Sequence, residues 1–223
     1  MAETLEQAMP GRIAPVIAPL IEVVSEPADI DLDGVQALLF TSANGVVEFA
    51  RRSPRRDIPC LCVGARTATV AAQHGLAAES ADGDASNLAG LAMSAFLPGA
   101  GTFLHLRGRD QAGDLVGALL AEGVEARETI LYAAEPRPLA AEVRARMTRG
   151  EMDAVTVFST RTASLLVAAA RDGVPWPTKH MQLVAISERA AAAAHPLGFG
   201  GIRVATHPSA EGMVKAIRAT LGR

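Results

Sequence analysis

The sequence predicts an α/β protein of two similar parallel-sheet domains, and three observations carry that expectation. Short β-rich runs alternate with alanine-rich helical segments along most of the chain. Strand following helix in this rhythm builds parallel sheets, because a crossover helix returns the chain to the same end of the sheet. The strands are too many for one small sheet, Pro136 and Pro138 mark a break, and an internal repeat divides the rhythm in two.

The elements follow in order. LLF at 38–40 leads into a helix over 44–52, CLCV at 60–63 into one over 66–74, and TFLHL at 102–106 into one over 111–122. RETILY at 127–132 precedes a helix over 139–149, AVTVF at 154–158 one over 161–171, QLVAI at 182–186 one over 188–195, and IRVAT at 202–206 a last helix over 209–221. Each run is short and β-rich, and each is followed by a helical segment.

LLFTSANGVVEFA at 38–50 is echoed by VTVFSTRTASLLV at 155–167, with Phe40 on Phe158 and Thr41-Ser42 on Ser159-Thr160, an offset of about 118 residues. LCVGARTATVAAQHG at 61–75 is echoed by VAISERAAAAAHPLG at 184–198, with Gly64 and Arg66 on Ser187 and Arg189. DASNLAGLAMSAF at 84–96 has a weaker partner in HPSAEGMVKAIRATL at 207–221. The chain start is similar only to the end of the first unit. The expected domains are therefore 25–131, contiguous, and 1–21 plus 136–223, discontinuous, with crossings near 16–24 and 129–136 paired as a two-strand bridge. The start has no counterpart of TFLHLRGR, so the second domain is expected to lack its first strand.

With 49% hydrophobic and 20% charged residues, the 223-residue chain can bury real cores. No apolar run approaches the roughly 20 residues of a membrane helix, and MAETLEQAMPGR lacks a signal-peptide layout. A cytoplasmic protein without a membrane partner is expected. A net charge of −3 argues against nucleic acid as partner. Cys60 and Cys62, at i and i+2, share one face of a strand as core residues, and the five histidines show no metal-ligand spacing, so no metal site is expected. Arg51, Arg52, Arg55 and Arg56 read as a solvated face offsetting a helix dipole.

In LLFTSANG a buried strand breaks into small hydroxyl and amide side chains and resumes as helix. Two readings stand open: Ser42 or Asn44 caps the helix, or the free N–H groups at its start receive an anionic ligand. The candidate binding residues are Thr41, Ser42 and Asn44 on one side, and Ser159, Thr160 and Arg161 in the second copy. Gly64 and Ser187 are small residues opening the next helix of each unit.

LLFTSANGV, LCVGARTA, FLHLRGRDQAGDL, ILYAAEP and FSTRTA, taken together in this order and spacing, resemble the uroporphyrinogen-III synthase family over almost the whole chain. The family pattern opens with a strand ending in an Arg-Pro turn before its first helix, whereas Met1 here starts inside that helix. The resemblance implies two flavodoxin-like domains joined by a two-strand β-ladder, with the active site in the cleft between them. It implies a lyase that cyclises hydroxymethylbilane to uroporphyrinogen III with loss of water and inversion of ring D, without metal or organic cofactor, in haem biosynthesis. A monomer is expected, with a transient contact to the preceding pathway enzyme. The substrate's eight carboxylates would be met by the strand-tip residues; Arg107 and Arg109, following a strand in LRGRDQ, stand open to two readings, pairing with those carboxylates or forming solvated salt bridges. Tyr132, the chain's one tyrosine, lies in the ILYAAEP crossing, where the resemblance implies help to the departing hydroxyl. A non-catalytic two-lobed module that binds a small molecule is the alternative. A dinucleotide oxidoreductase fits less well, since no GxGxxG follows a strand.

Overall fold

The computed structural model describes residues 5–7, 9–111 and 113–222. The expectation that Met1 begins inside a helix lies outside them. The chain divides into two compact units, Val23–Glu135 and Met1–Glu22 with Pro136–Arg223.

The contiguous unit is built on six strands: β1 (Ile21–Ser25), β2 (Val35–Phe40), β3 (Cys60–Cys62), β4 (Ala78–Ser80), β5 (Thr102–Gly108) and β6 (Ala126–Pro136), in the order β1-β6-β5-β2-β3-β4. From β6 to β4 every neighbouring pair is parallel. The Glu26 N–H donates to the Leu131 carbonyl and the Arg137 N–H to the Leu20 carbonyl, so numbers rise on β1 as they fall on β6 and that pair is antiparallel. The crossovers are helices α1 (Ala43–Arg52), α2 (Ala65–Gln73), α3 (Ala85–Ala95) and α4 (Leu115–Ala121).

Alternation along β2 sorts its side chains between two cores. Leu38 and Phe40 pack with Val46, Phe49 and Ala71 from α1 and α2. Ala37 and Leu39 pack with Leu88, Ala92, Leu115 and Leu119 from α3 and α4. Cys60 and Cys62 are buried free thiols in the first of these cores.

Three details differ from expectation. Strand β4 reads AES, a polar three-residue edge with no apolar run to announce it. Helix α4 starts only at Leu115, because Gly113 takes φ +100 and Asp114 then caps the helix by accepting from the Gly117 N–H. The basic run is not a merely solvated face. Arg52 donates to the carbonyls of Glu26 and Ala28, and Arg56 to those of His74 (2.7 Å), Ser53 (2.7 Å) and Ala50 (3.0 Å). These two arginines satisfy chain segments that no ladder pairs.

The second unit carries β7 (Ala154–Val157), β8 (Gln182–Ala185) and β9 (Gly201–Val204), all parallel in the order β7-β8-β9. Its helices are α5 (Ala141–Thr148), α6 (Thr160–Arg171), α7 (Glu188–Ala194) and α8 (Ala210–Leu221). Val157, Ala163, Leu166, Ala185, Ala190 and Trp176 form one core. Leu5, Met9, Val184, Met213 and Ile217 form another.

Both units show the repeat, with one register corrected. The Val63 N–H donates to the Phe40 carbonyl and the Ile186 N–H to the Val157 carbonyl, both at 3.0 Å. Phe40 therefore corresponds to Val157, an offset of 117, not to Phe158. A one-residue slip turns a strand side chain to the other face, and exposure follows the corrected register: Phe40 is 0% and Val157 1% exposed, Phe158 39%. Ser42 and Ser159 are then the equivalent pair, each the N-cap of its helix.

Candidate functional site

Within the contiguous unit, β5 lies on one side of β2 and β3 on the other, and the chain leaves β2 into α1 but β5 into α4. In open α/β sheets the connections part at such a point and leave a crevice beyond the strand ends. A cavity of ≈ 370 Å³ lies there, with Thr41 and Ser42 from the end of β2, Arg107 and Gly108 from β5, and Tyr132 from β6 in its wall. The structure thus brings four of the expected site residues together: Thr41, Ser42, Arg107 and Tyr132.

The hydroxyls at the strand tips do serve as caps. Ser42 Oγ accepts from the Asn44 N–H at 3.2 Å, Ser159 Oγ from the Thr162 N–H at 3.0 Å, and Ser187 Oγ from the Ala190 N–H at 3.3 Å. A capping hydroxyl uses one lone pair, and its own O–H remains a donor. Asn44, Thr160 and Arg161 are exposed in the first turns of α1 and α6. Ser159, Thr160, Arg161 and Ser187 belong to the other unit and do not line this cavity.

Gly64 is the N-cap of α2 with extended backbone (φ −162), and a Cβ there would meet nothing within 4 Å. Neither strain nor packing demands glycine. Gly64→Ser, copying the cap that Ser187 gives α7, should stabilise the fold by a few tenths of a kcal/mol and raise Tm by about 1 °C. Scanning calorimetry checks this; a lower Tm would contradict the open geometry at Gly64.

Arg107 is placed differently from a free receptor for substrate carboxylates. It is 9% exposed, and Nε and Nη2 donate to the two Glu128 oxygens at 2.8 and 2.6 Å. Nη1 donates to the carbonyls of Gly108 (2.8 Å) and Arg109 (3.1 Å). Each partner shifts the other: hydrogen bonding to Arg107 holds the Glu128 carboxyl below its usual range, and Glu128 raises the guanidinium. Arg107 thus fixes the end of β5, whose backbone forms the cavity edge. Arg109 pairs with Glu26 and Glu135.

Tyr132 is buried, and the Arg109 N–H donates to its carbonyl at 2.8 Å. A Cβ built on Gly108 would stand 2.8 Å from the ring's Cε2 and Cζ and 3.1 Å from its hydroxyl. The ring therefore lies against the Gly108 backbone, and the absence of a side chain there lets it reach the cavity wall.

His105 and Glu128 are the site residues that sequence reading missed. His105 is 1% exposed, with Nε2 at 3.1 Å from Thr41 Oγ1. Burial takes its pKa down to about 4, against the upward pull of the Glu128 carboxylate and with a smaller downward push from Arg107. The signal was in TFLHLRG: a histidine at i+2 from Phe103 and i−2 from Arg107, on the face of β5 turned to α3 and α4. Among the described residues, no cluster of His, Cys, Asp or Glu could hold a metal, and no helix is long and apolar enough to cross a membrane. A smaller cavity of ≈ 210 Å³ in the other unit, beside Trp176 and Pro196, contains none of the expected site residues.

Comparison with known proteins bears on this geometry. The family model for "Uroporphyrinogen-III synthase HemD" matches residues 1–215. No curated protein matches the sequence significantly. Among solved structures, uroporphyrinogen-III synthetase from Helicobacter pylori 26695 is similar at 18% identity and a TM-score of 0.66, covering 93% of this chain and 96% of that one. A mutant uroporphyrinogen III synthase from Thermus thermophilus aligns at 17% identity over 99% of this chain and 93% of its own, with a TM-score of 0.49. At such identities the likeness concerns the fold, an α/β architecture of alternating strands and helices with parallel sheet, and it rests on the Helicobacter structure. With the family model matched over nearly its whole length, the chain belongs to the uroporphyrinogen-III synthase family, lyases of tetrapyrrole biosynthesis.

Proposed function

We propose that the protein closes hydroxymethylbilane into uroporphyrinogen III, with inversion of ring D and loss of water. The observation that carries this reading is the convergence of Thr41, Ser42 and Tyr132 on one cavity at the switch point of the sheet, in a chain of this family. The C–O bond of the terminal hydroxymethyl group breaks as the pyrrole nitrogen's electron pair forms the azafulvene cation; the oxygen takes a proton from the Tyr132 phenol and leaves as water, and the proton released when the attacked ring D carbon closes the macrocycle and rearomatises returns to the phenolate. Tyr132 donates a hydrogen bond to the departing oxygen, where negative charge develops. The hydroxyls of Thr41, Ser42, Ser159 and Thr160, the amides opening the helices after Gly64 and Ser187, and the side chains of Asn44 and Arg161 receive acetate and propionate groups. Arg107 acts by holding the edge of β5 rather than by meeting the substrate.

In this reading the two units are similar flavodoxin-like domains, 25–131 and 1–21 plus 136–223, joined by the two-strand ladder near 16–24 and 129–136. The repeat of strand, serine cap and helix at Ser42 and Ser159 supports it. The deciding experiment mixes the protein with freshly prepared hydroxymethylbilane and resolves the uroporphyrinogen isomers. Type III product is expected; the type I isomer alone, formed by spontaneous closure, would leave a non-catalytic binding module.

A further inference from the structure

One buried polar group in the cavity wall has no role in the chemistry above. His105 sits between Leu104 and Leu106 on β5, with Nε2 at 3.1 Å from Thr41 Oγ1 and a buried Nδ1 that has no hydrogen-bond partner among the described residues. Glu128, its register partner on β6, gives both carboxylate oxygens to Arg107. Tyr132, Asp84 and Asp110 are the other titratable groups of this wall. With a pKa of about 4, set first by burial, the imidazole is neutral near pH 7 and carries one N–H. On Nδ1 that proton would be a buried donor without an acceptor. On Nε2 it is donated to Thr41, and Nδ1 keeps a bare lone pair, the less costly of the two arrangements.

Thr41 Oγ1 then accepts from His105, and its own hydrogen is turned away from the imidazole. We infer that His105 is a positioning residue which, by donating Nε2–H to Thr41, presents the Thr41 hydroxyl to the cavity as a donor, so that this point of the wall selects a carboxylate oxygen of the bilane. The inference rests on the proposed function and names how one of its donors is set.

Two measurements test it. Nitrogen-15 NMR of histidine-labelled wild-type protein at pH 7 should show His105 as the neutral Nε2–H tautomer; an Nδ1–H tautomer or an imidazolium overturns the inference whatever the variants do. In kinetics with hydroxymethylbilane, Thr41→Val and His105→Leu should each raise KM about tenfold with kcat within about twofold, and the double variant should be no worse than either alone. His105→Gln, whose amide N–H can reach Oγ1, should restore most of the affinity. Losses that multiply to about 100-fold in the double variant, or a loss confined to kcat, overturn it. A wild type that makes no type III isomer overturns the functional reading and this inference together. Additive losses in a wild type that does make it overturn this inference alone.

Discussion

Tyr132→Phe should lower kcat for type III product about 100-fold while KM stays nearly unchanged. The lost hydrogen bond strengthens only as the C–O bond breaks, so it contributes to the transition state and little to the bound substrate. General-acid help is worth roughly 100- to 10,000-fold, and the lower end is expected because the pyrrole's own electron pair drives departure. Gly108→Ala supplies a second arm. Its Cβ would stand 2.8 Å from the Tyr132 ring, so the ring must move and the phenol with it. That variant should lose kcat to a similar degree with tyrosine still present. The assay must resolve isomers, since spontaneous closure gives type I. Type III formation at the parent rate by Tyr132→Phe would remove the proton donor from the mechanism and leave a site that acts by holding carboxylates.

The second large effect is on stability. Glu128→Ala leaves the Arg107 guanidinium buried beside the Gly108 and Arg109 carbonyls without its ion-pair partner, with only the weaker pull of Asp114 as countercharge, at a cost of about 3 kcal/mol. Urea unfolding should show the midpoint falling by about 1–2 M. Replacing both partners, Arg107→Met with Glu128→Leu, should cost much less, because no unpaired charge remains. An equal loss in the double variant would mean that the geometry of β5, not the uncompensated charge, is what fails. The same strip sets acid sensitivity. His105 has a folded pKa of about 4 against an ordinary 6.5, so the unfolded chain takes the proton first and stability falls as pH drops from 6.5 toward 4, by about 3 kcal/mol in all. Glu128, whose carboxyl is held low by Arg107, extends the loss below its ordinary value of 4.5. His105→Leu should abolish the first part of this slope.

Strands covered by helices on both faces announced themselves: LLF and CLCV are continuous apolar runs, TFLHL is one broken only by His105 after its opening threonine, and each is a parallel strand of the contiguous unit. The polar edge strand AES did not, because nothing in three mixed residues distinguishes strand from loop. The repeat was legible but slipped by one, since matching phenylalanines at 40 and 158 outweighed the period-two alternation that buries Phe40 and exposes Phe158. Thr41, Ser42 and Tyr132 could be singled out by position, whereas the partner of Arg107 could not. Glu128 lies 21 residues away, on a neighbouring strand reached through a crossover helix, and only the register of β5 on β6 brings them together. His105 was hidden for the opposite reason: flanked by leucines, it reads as one more residue of a buried strand.

The discontinuous unit has a consequence for how the chain is made. Leu5 and Met9 pack with Val184, Met213 and Ile217, partners about 200 positions downstream. At roughly 5–20 residues added per second, the segment carrying Leu5 and Met9 waits about 10–40 s on the ribosome before the residues that cover it exist. Residues 23–135 are complete long before then, and the strands and helices of that unit lie within the stretch but for the first two residues of β1 and the last of β6. Synthesis therefore favours a half-folded nascent chain in which the contiguous unit is formed and the segment with Leu5 and Met9 uncovered is the stretch on which early chaperone binding would fall.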